Sequence, residues 1–268
     1  MRTKIMLMSF TIVLFLSGSS FAQSDDVDLN RDYLSGFITD TGALIISPSR
    51  WDNSDWLKAT IFIGITAGLY AFDDEIQDWA QEGRNDTTDK VSDLARPFGE
   101  GIYTLPSLGL FYLYGHLYND KRAKRVALLS VESLIITGVF TQTTKFMTHR
   151  HRPDGSSREW DGPGFSTTNL SFPSGHSSSA FAIASVIASE YKDKPIVPIL
   201  SYSIATLTAL SRVNDNKHWA SDVFFGAGIG YFTGKAIVSL HTGKEVERLS
   251  ILPFVSDEYS GIMAEYRF

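Results

Sequence analysis

The chain has 268 residues, with 24 Lys and Arg against 30 Asp and Glu, six His, no Cys, and a formal net charge of −6. The missing thiols exclude disulfides, thiolate metal sites and a cysteine nucleophile, and the acidic balance argues against nucleic acid as a partner. The length fits one domain, and no internal repeat or low-complexity linker divides it.

Arg2 and Lys4 form a basic head, Ile5 to Leu16 an apolar stretch, and Ser20-Phe21-Ala22 a small-residue ending. Residues 1–22 therefore read as a secretory signal cut after Ala22, with an uncleaved anchor helix as the alternative. Export places the mature chain in the cell envelope, outside the cytoplasm. Residues 23–55 form a mixed polar N-terminal extension in which Pro48 and Asp52-Asn53 mark turns. The body of the chain, 56–242, carries apolar helical stretches near 56–72, 101–118, 125–146, 176–191, 195–211 and 219–240, which predicts an all-α bundle of six helices. The acidic segment Asp73 to Asp93, with Ile76, Trp79, Val91 and Leu94, reads as an amphipathic helix and loop.

The tail, 243–268, has another period. Ile262, Ala264, Tyr266 and Phe268 alternate with Met263, Glu265 and Arg267, and the run Leu249 to Val255 lies upstream, so a C-terminal β-hairpin is expected. The stretches 101–118 and 195–211 hold no charge and can span a bilayer with modest adjustment, whereas Glu132 interrupts 126–144. A mean hydropathy of −0.04 is low for six spans, so membrane embedding and a soluble helical core both stand at this point.

Three polar blocks carry the chemistry. The first is Lys145 to Pro153, in which Lys145 and Arg152 lie seven residues apart; on a continuous helix they project from one face and hold one anion. Pro153 puts Arg152 at the helix end, where its planar fork meets two phosphate oxygens. The second is Pro173-Ser174-Gly175-His176 before an apolar run, a helix start whose free N–H groups favour an anion, with the Ser174 hydroxyl as a further donor, Gly175 permitting close approach and His176 beside the ligand. In the third, Ser211 to Asp222, His218 and Asp222 stand at i and i+4, so on a helix the carboxylate accepts from one ring nitrogen and leaves the other to attack. Arg212 adds a phosphate contact if the chain bends after it. The polar segment 154–172 lies between two of these blocks and reads as a substrate-facing loop. His149 and His151 point to different helix faces and read as rim residues, so no metal ligand set is expected.

The pattern KxxxxxxRP, PSGH, SRxxxxxHxxxD resembles the type 2 phosphatidic acid phosphatase (PAP2) superfamily, which includes lipid phosphatases, bacterial acid phosphatases and vanadium-dependent haloperoxidases. Every motif position is filled. The resemblance implies that Lys145, Arg152, Ser174, Gly175 and Arg212 bind phosphate, that His218 is the nucleophile oriented by Asp222, and that His176 is the general acid. It implies no cofactor and no metal. The expected activity is hydrolysis of a phosphate monoester or terminal diphosphate through a phosphohistidine, on a phosphorylated lipid of the envelope. A soluble periplasmic acid phosphatase and a haloperoxidase are the alternatives, and the oligomeric state is left open.

Overall fold

A computed structural model of the chain describes residues 27–154, 159–242, 248–255 and 260–267. The signal segment 1–22 lies outside the described residues. The helices are α1 (Arg31–Ile46), α2 (Asn53–Ala71), α3 (Asp73–Glu82), α4 (Asp86–Ala95), α5 (Gly101–Leu117), α6 (Lys121–Thr148), α7 (Gly175–Glu190), α8 (Ile196–Asn214) and α9 (Ala220–Thr242). The six apolar stretches fall on α2, α5, α6, α7, α8 and α9. The expected count of six is corrected to nine α-helices among the described residues, because α1, α3 and α4 are mixed in composition and gave no apolar run.

The turns expected at Pro48 and Asp52-Asn53 are present, as a 3-10 turn at Ser47–Arg50 and the Asp52 cap of α2, and the extension before them is helical as α1. Asn30 caps α1 by accepting the Tyr33 N–H at 2.7 Å, and Tyr33 and Leu44 enter the same core cluster as Leu129 of α6, Val186 of α7 and Ile237 of α9. The acidic segment is two helices rather than a helix and a loop, since Asn85 starts α4 by accepting the N–H groups of Thr87 and Thr88. At the C-terminus, β1 (Arg248–Val255) and β2 (Ser260–Arg267) pair antiparallel, with Leu249 opposite Tyr266 and Leu252 opposite Met263.

Helix α7 is in contact with α6, α8 and α9. Its buried side is made of small residues, among them Ser177, Ser178, Ala182 and Ser185, and α9 answers with glycine. A Cβ at Gly226 or Gly230 would collide with the carbonyl oxygen of Ser174 or Ser178. Glycine at these positions lets the two backbones approach closely, which brings the start of α9 against the start of α7.

Helices α6, α8 and α9 are long and apolar enough to cross a membrane. Helix α5 has 17 residues and rises about 25 Å, so it would need the modest adjustment expected for 101–118 to cross a hydrocarbon core of about 30 Å. Large apolar side chains face outward on both α5 and α8, including Ile102 (75% exposed), Leu110 (69%), Ile199 (61%) and Leu210 (55%).

Candidate active site

The three polar blocks meet where α6 and α8 end and α7 and α9 begin. Helix α6 stops at Thr148 because His149 turns left-handed (φ 41°) and returns its N–H to the Lys145 carbonyl at 2.9 Å. Arg152 therefore lies beyond the helix, and the expectation that it shares a helical face with Lys145 is corrected. It reaches the site by the turn of the chain, for its charge acts on Lys145, Arg212 and His218. Lys145 is buried, and its ammonium donates to the carbonyls of Leu170 and Ser171.

Ser174 is the N-cap of α7. Its hydroxyl oxygen accepts from the Ser177 N–H at 3.4 Å and the Ser177 hydroxyl at 3.0 Å, which leaves its own proton to donate. A Cβ on Gly175 would meet nothing within 4 Å, so the space beside the helix start is open. Gly175 is thus a position where the backbone faces free space, next to N–H groups that have no partner within the helix.

Arg212 lies near the end of α8, and the chain bends after it: Asn216 is left-handed (φ 57°), and the N–H groups of Lys217 and His218 both donate to the Arg212 carbonyl, at 3.0 and 3.2 Å. The guanidinium is buried. One nitrogen, Nη2, pairs with Asp215 at 3.1 Å, while Nε and Nη1 are buried with no partner among the described residues. Buried donors are rarely left unpaired, and two on one guanidinium ask for an anion.

His218 precedes α9 instead of sitting on it, so the helical i,i+4 geometry expected for His218 and Asp222 is also corrected. Its Nδ1 lies 3.6 Å from Asp222 Oδ2, longer than a hydrogen bond. The reason is that Oδ2 already accepts the Trp219 N–H at 3.0 Å and the Ser171 hydroxyl. The other oxygen, Oδ1, accepts from Arg150. Burial pushes the His218 imidazole down to about 4, with Asp222 opposing and the charges of Lys145 and Arg152 reinforcing the shift. His176, at the first turn of α7, is also lowered, first by burial and then by Arg212, against the carboxylate of Glu100 at 3.4 Å. Both rings are thereby biased toward the neutral form.

Beneath these residues is a network that motif reading missed. Arg150 is fully buried and donates to Asp222, to the Ser221 hydroxyl at 2.7 Å and to Asp73 Oδ2 at 2.7 Å. Asp73, the first residue of α3, accepts in turn from the Ser221 N–H at 2.9 Å. The Arg150 guanidinium also lies about 5 Å from the ring centres of Tyr70 and Trp160. In the sequence Arg150 is one of several cations in a basic block, and Asp73 opens an acidic run; neither carries a signal of its own. Glu100 has none either.

The rim assignment of His149 is corrected as well. Its ring is buried between the carbonyls of Gly162 and Ser166, each 3.0 Å from one ring nitrogen, and it donates to one of them, while His151 Nε2 is 3.0 Å from Asp161. These bonds, with a backbone bridge between Arg150 and Trp160, strap the loop after residue 158 against the end of α6.

The architecture is an α-helical bundle with a cluster of cations and two histidines at one end, of which Lys145, Arg212 and His218 are buried. Residues 126–245 match the family model of the PAP2 superfamily. A lipid A 1-phosphatase from Porphyromonas gingivalis is 31% identical over 123 residues, which cover 46% of this chain and 25% of that one. The chain thus spans about a quarter of that relative's length. A transmembrane PAP2-type phosphatidylglycerolphosphate phosphatase from Bacillus subtilis has the same fold, with a TM-score of 0.50 at 20% identity, covering 78% of this chain and 93% of the other. LpxE of Aquifex aeolicus aligns with a TM-score of 0.49 at 20% identity, over 63% of this chain and 95% of the other.

Proposed function

We propose that the chain is a metal-independent lipid phosphatase of the cell envelope that removes a phosphate monoester or terminal diphosphate through a phosphohistidine on His218. The observation that carries this reading is the Arg212 guanidinium, buried with two donors lacking an acceptor among the described residues, near the open space at Gly175. A phosphate there completes Arg212 and meets the N–H groups at the start of α7, with the charges of Lys145 and Arg152 close by.

Neutral His218 attacks phosphorus through Nε2, forming the N–P bond as the bond to the leaving oxygen breaks. The cations hold the equatorial oxygens. His176 gives its proton to the departing alkoxide; the negative charge of the bound phosphate favours the imidazolium that this step needs, opposing the effect of burial. Water then attacks the phosphohistidine, His176 takes its proton, and phosphate leaves. Asp222, fixed by Arg150 and Ser171, stabilises the positive charge that develops on His218.

A lipid substrate and membrane attachment are supported by three helices of spanning character, by the apolar side chains facing outward on α5 and α8, and by the likeness to a lipid A 1-phosphatase. The test is an assay of the chain in detergent, with chelator present, against lipid phosphates, prenyl diphosphates and soluble esters. Turnover of a lipid phosphate well above that of soluble esters is expected. Activity confined to soluble esters, together with release of the protein from membranes by alkali alone, would replace this reading with the soluble acid phosphatase. Vanadate-dependent bromide oxidation without phosphatase turnover would replace it with a haloperoxidase.

A further inference from the structure

A second group of ionisable side chains, two of the three buried, lies away from the phosphate site and has no part in its chemistry. Asp40 of α1, Glu132 of α6 and His241 of α9 each bring one ligating atom into a cluster whose members all lie within 4.8 Å of one another. Glu132 and Lys145 are on the same helix, and their separation in sequence puts about 20 Å between the two sites. His241 Nε2 is 3.0 Å from Glu132 Oε2 and 3.3 Å from Asp40 Oδ2. Glu132 is 0% exposed and His241 2%. The second Glu132 oxygen, Oε1, is buried with no partner among the described residues.

Protonated histidine would leave this cluster with an excess negative charge, because two carboxylates face one imidazolium. A divalent cation that replaces the imidazole proton brings the sum to zero and gives Glu132 Oε1 a neighbour it lacks. The spacing fits as well. A tetrahedral ion with bonds of about 2.0–2.1 Å holds its ligands roughly 3.3 Å apart, close to the two separations to Nε2. One imidazole and two carboxylates suit Zn²⁺, and ionisable groups set into apolar helices of spanning character are there for a reason that packing alone does not supply.

We propose that Asp40, Glu132 and His241 bind one Zn²⁺ ion, which ties α1 to α6 and α9. The ion is a clamp on the N-terminal helix and takes no part in phosphate cleavage. The full chain in detergent, stripped with chelator and dialysed against Zn²⁺, should bind one equivalent by elemental analysis and melt at a higher temperature than the stripped protein. Loading with Co²⁺ should give the visible absorption of a tetrahedral centre. Glu132→Gln and His241→Ala should lose both signals. Because truncation of a buried residue can unfold the chain, Asp40→Asn, isosteric and at the edge of the cluster, is the second variant. With helix content intact by circular dichroism, it should weaken Zn²⁺ binding at least about tenfold, the smallest usual cost of losing even an outer partner of a metal site. Folded wild-type protein that binds no stoichiometric Zn²⁺, or folded Asp40→Asn and Glu132→Gln that bind it as wild type does, would overturn the assignment.

Discussion

Arg150 is the residue whose removal should reveal most about how the site is held. It has no exposed surface, and its two Nη nitrogens serve Asp73, Ser221 and Asp222, the two carboxylates also having no exposed surface. Arg150→Met keeps an unbranched apolar stem but removes the guanidinium and strands two buried carboxylates. Removing one partner of a buried ion pair costs about 3–5 kcal/mol, and the lost stacking on Tyr70 and Trp160 adds to that. At about 2–4 °C per kcal/mol for a chain of this size, the melting midpoint should fall by on the order of 10 °C. A double-mutant cycle separates lost charge pairing from lost packing. Asp73→Asn in the Arg150→Met background removes one of the stranded charges, so the two substitutions together should cost less than their separate sum by about 1–3 kcal/mol. Thermal and denaturant unfolding of the detergent-solubilised protein measure both quantities. A midpoint for Arg150→Met within about 2 °C of wild type, or additivity within about 0.5 kcal/mol, would refute the view that this arginine is the keystone of the network.

Three further outcomes bear on the proposed mechanism. His218→Ala should abolish turnover with the fold intact, and His176→Ala should slow alkyl phosphates far more than an activated phenyl phosphate, whose leaving group needs no proton; equal losses for both substrates would remove His176 from the acid role. Vanadate, which imitates the five-coordinate transition state, should compete with substrate and bind at least about tenfold more weakly to Arg212→Ala, a loss of about 1.4 kcal/mol; unchanged inhibition would place the anion elsewhere. The His218 ring should titrate near 4 in the free protein when followed by NMR. Its folded value lies below the ordinary 6.5, so the unfolded chain binds the extra proton first, and stability from this group should rise with pH between those values. A midpoint near 6.5 would mean that the ring is solvated.

The three motifs, with the family resemblance they carry, nominated eight candidate site residues, and the structure brings the three motifs together at one end of the bundle. Apolar period likewise located six helices to within a few residues, because a buried helical face needs its hydrophobic residues every three or four positions. Helix α1 escaped that reading because its capping signal, Asn30, stands before a sequence whose apolar positions are spaced by Thr, Ser and Asp.

Local sequence determined which side chains bring charge, nucleophile and helix start, and the order in which they come. Where those groups meet was decided by tertiary structure alone. Lys145 and Arg152 were expected to meet along one helical face, yet the left-handed turn at His149 ends α6 between them. His218 and Asp222 were expected on one helix; Asp222 instead spends its lone pairs on Trp219, Ser171 and Arg150, and stands 3.6 Å from the ring. Asp73, Arg150 and Ser221 come from separate parts of the chain, and a buried charge network of that kind leaves no periodic trace. Its members are chosen by one another's charge and lone pairs across the fold, which spacing along the sequence does not encode.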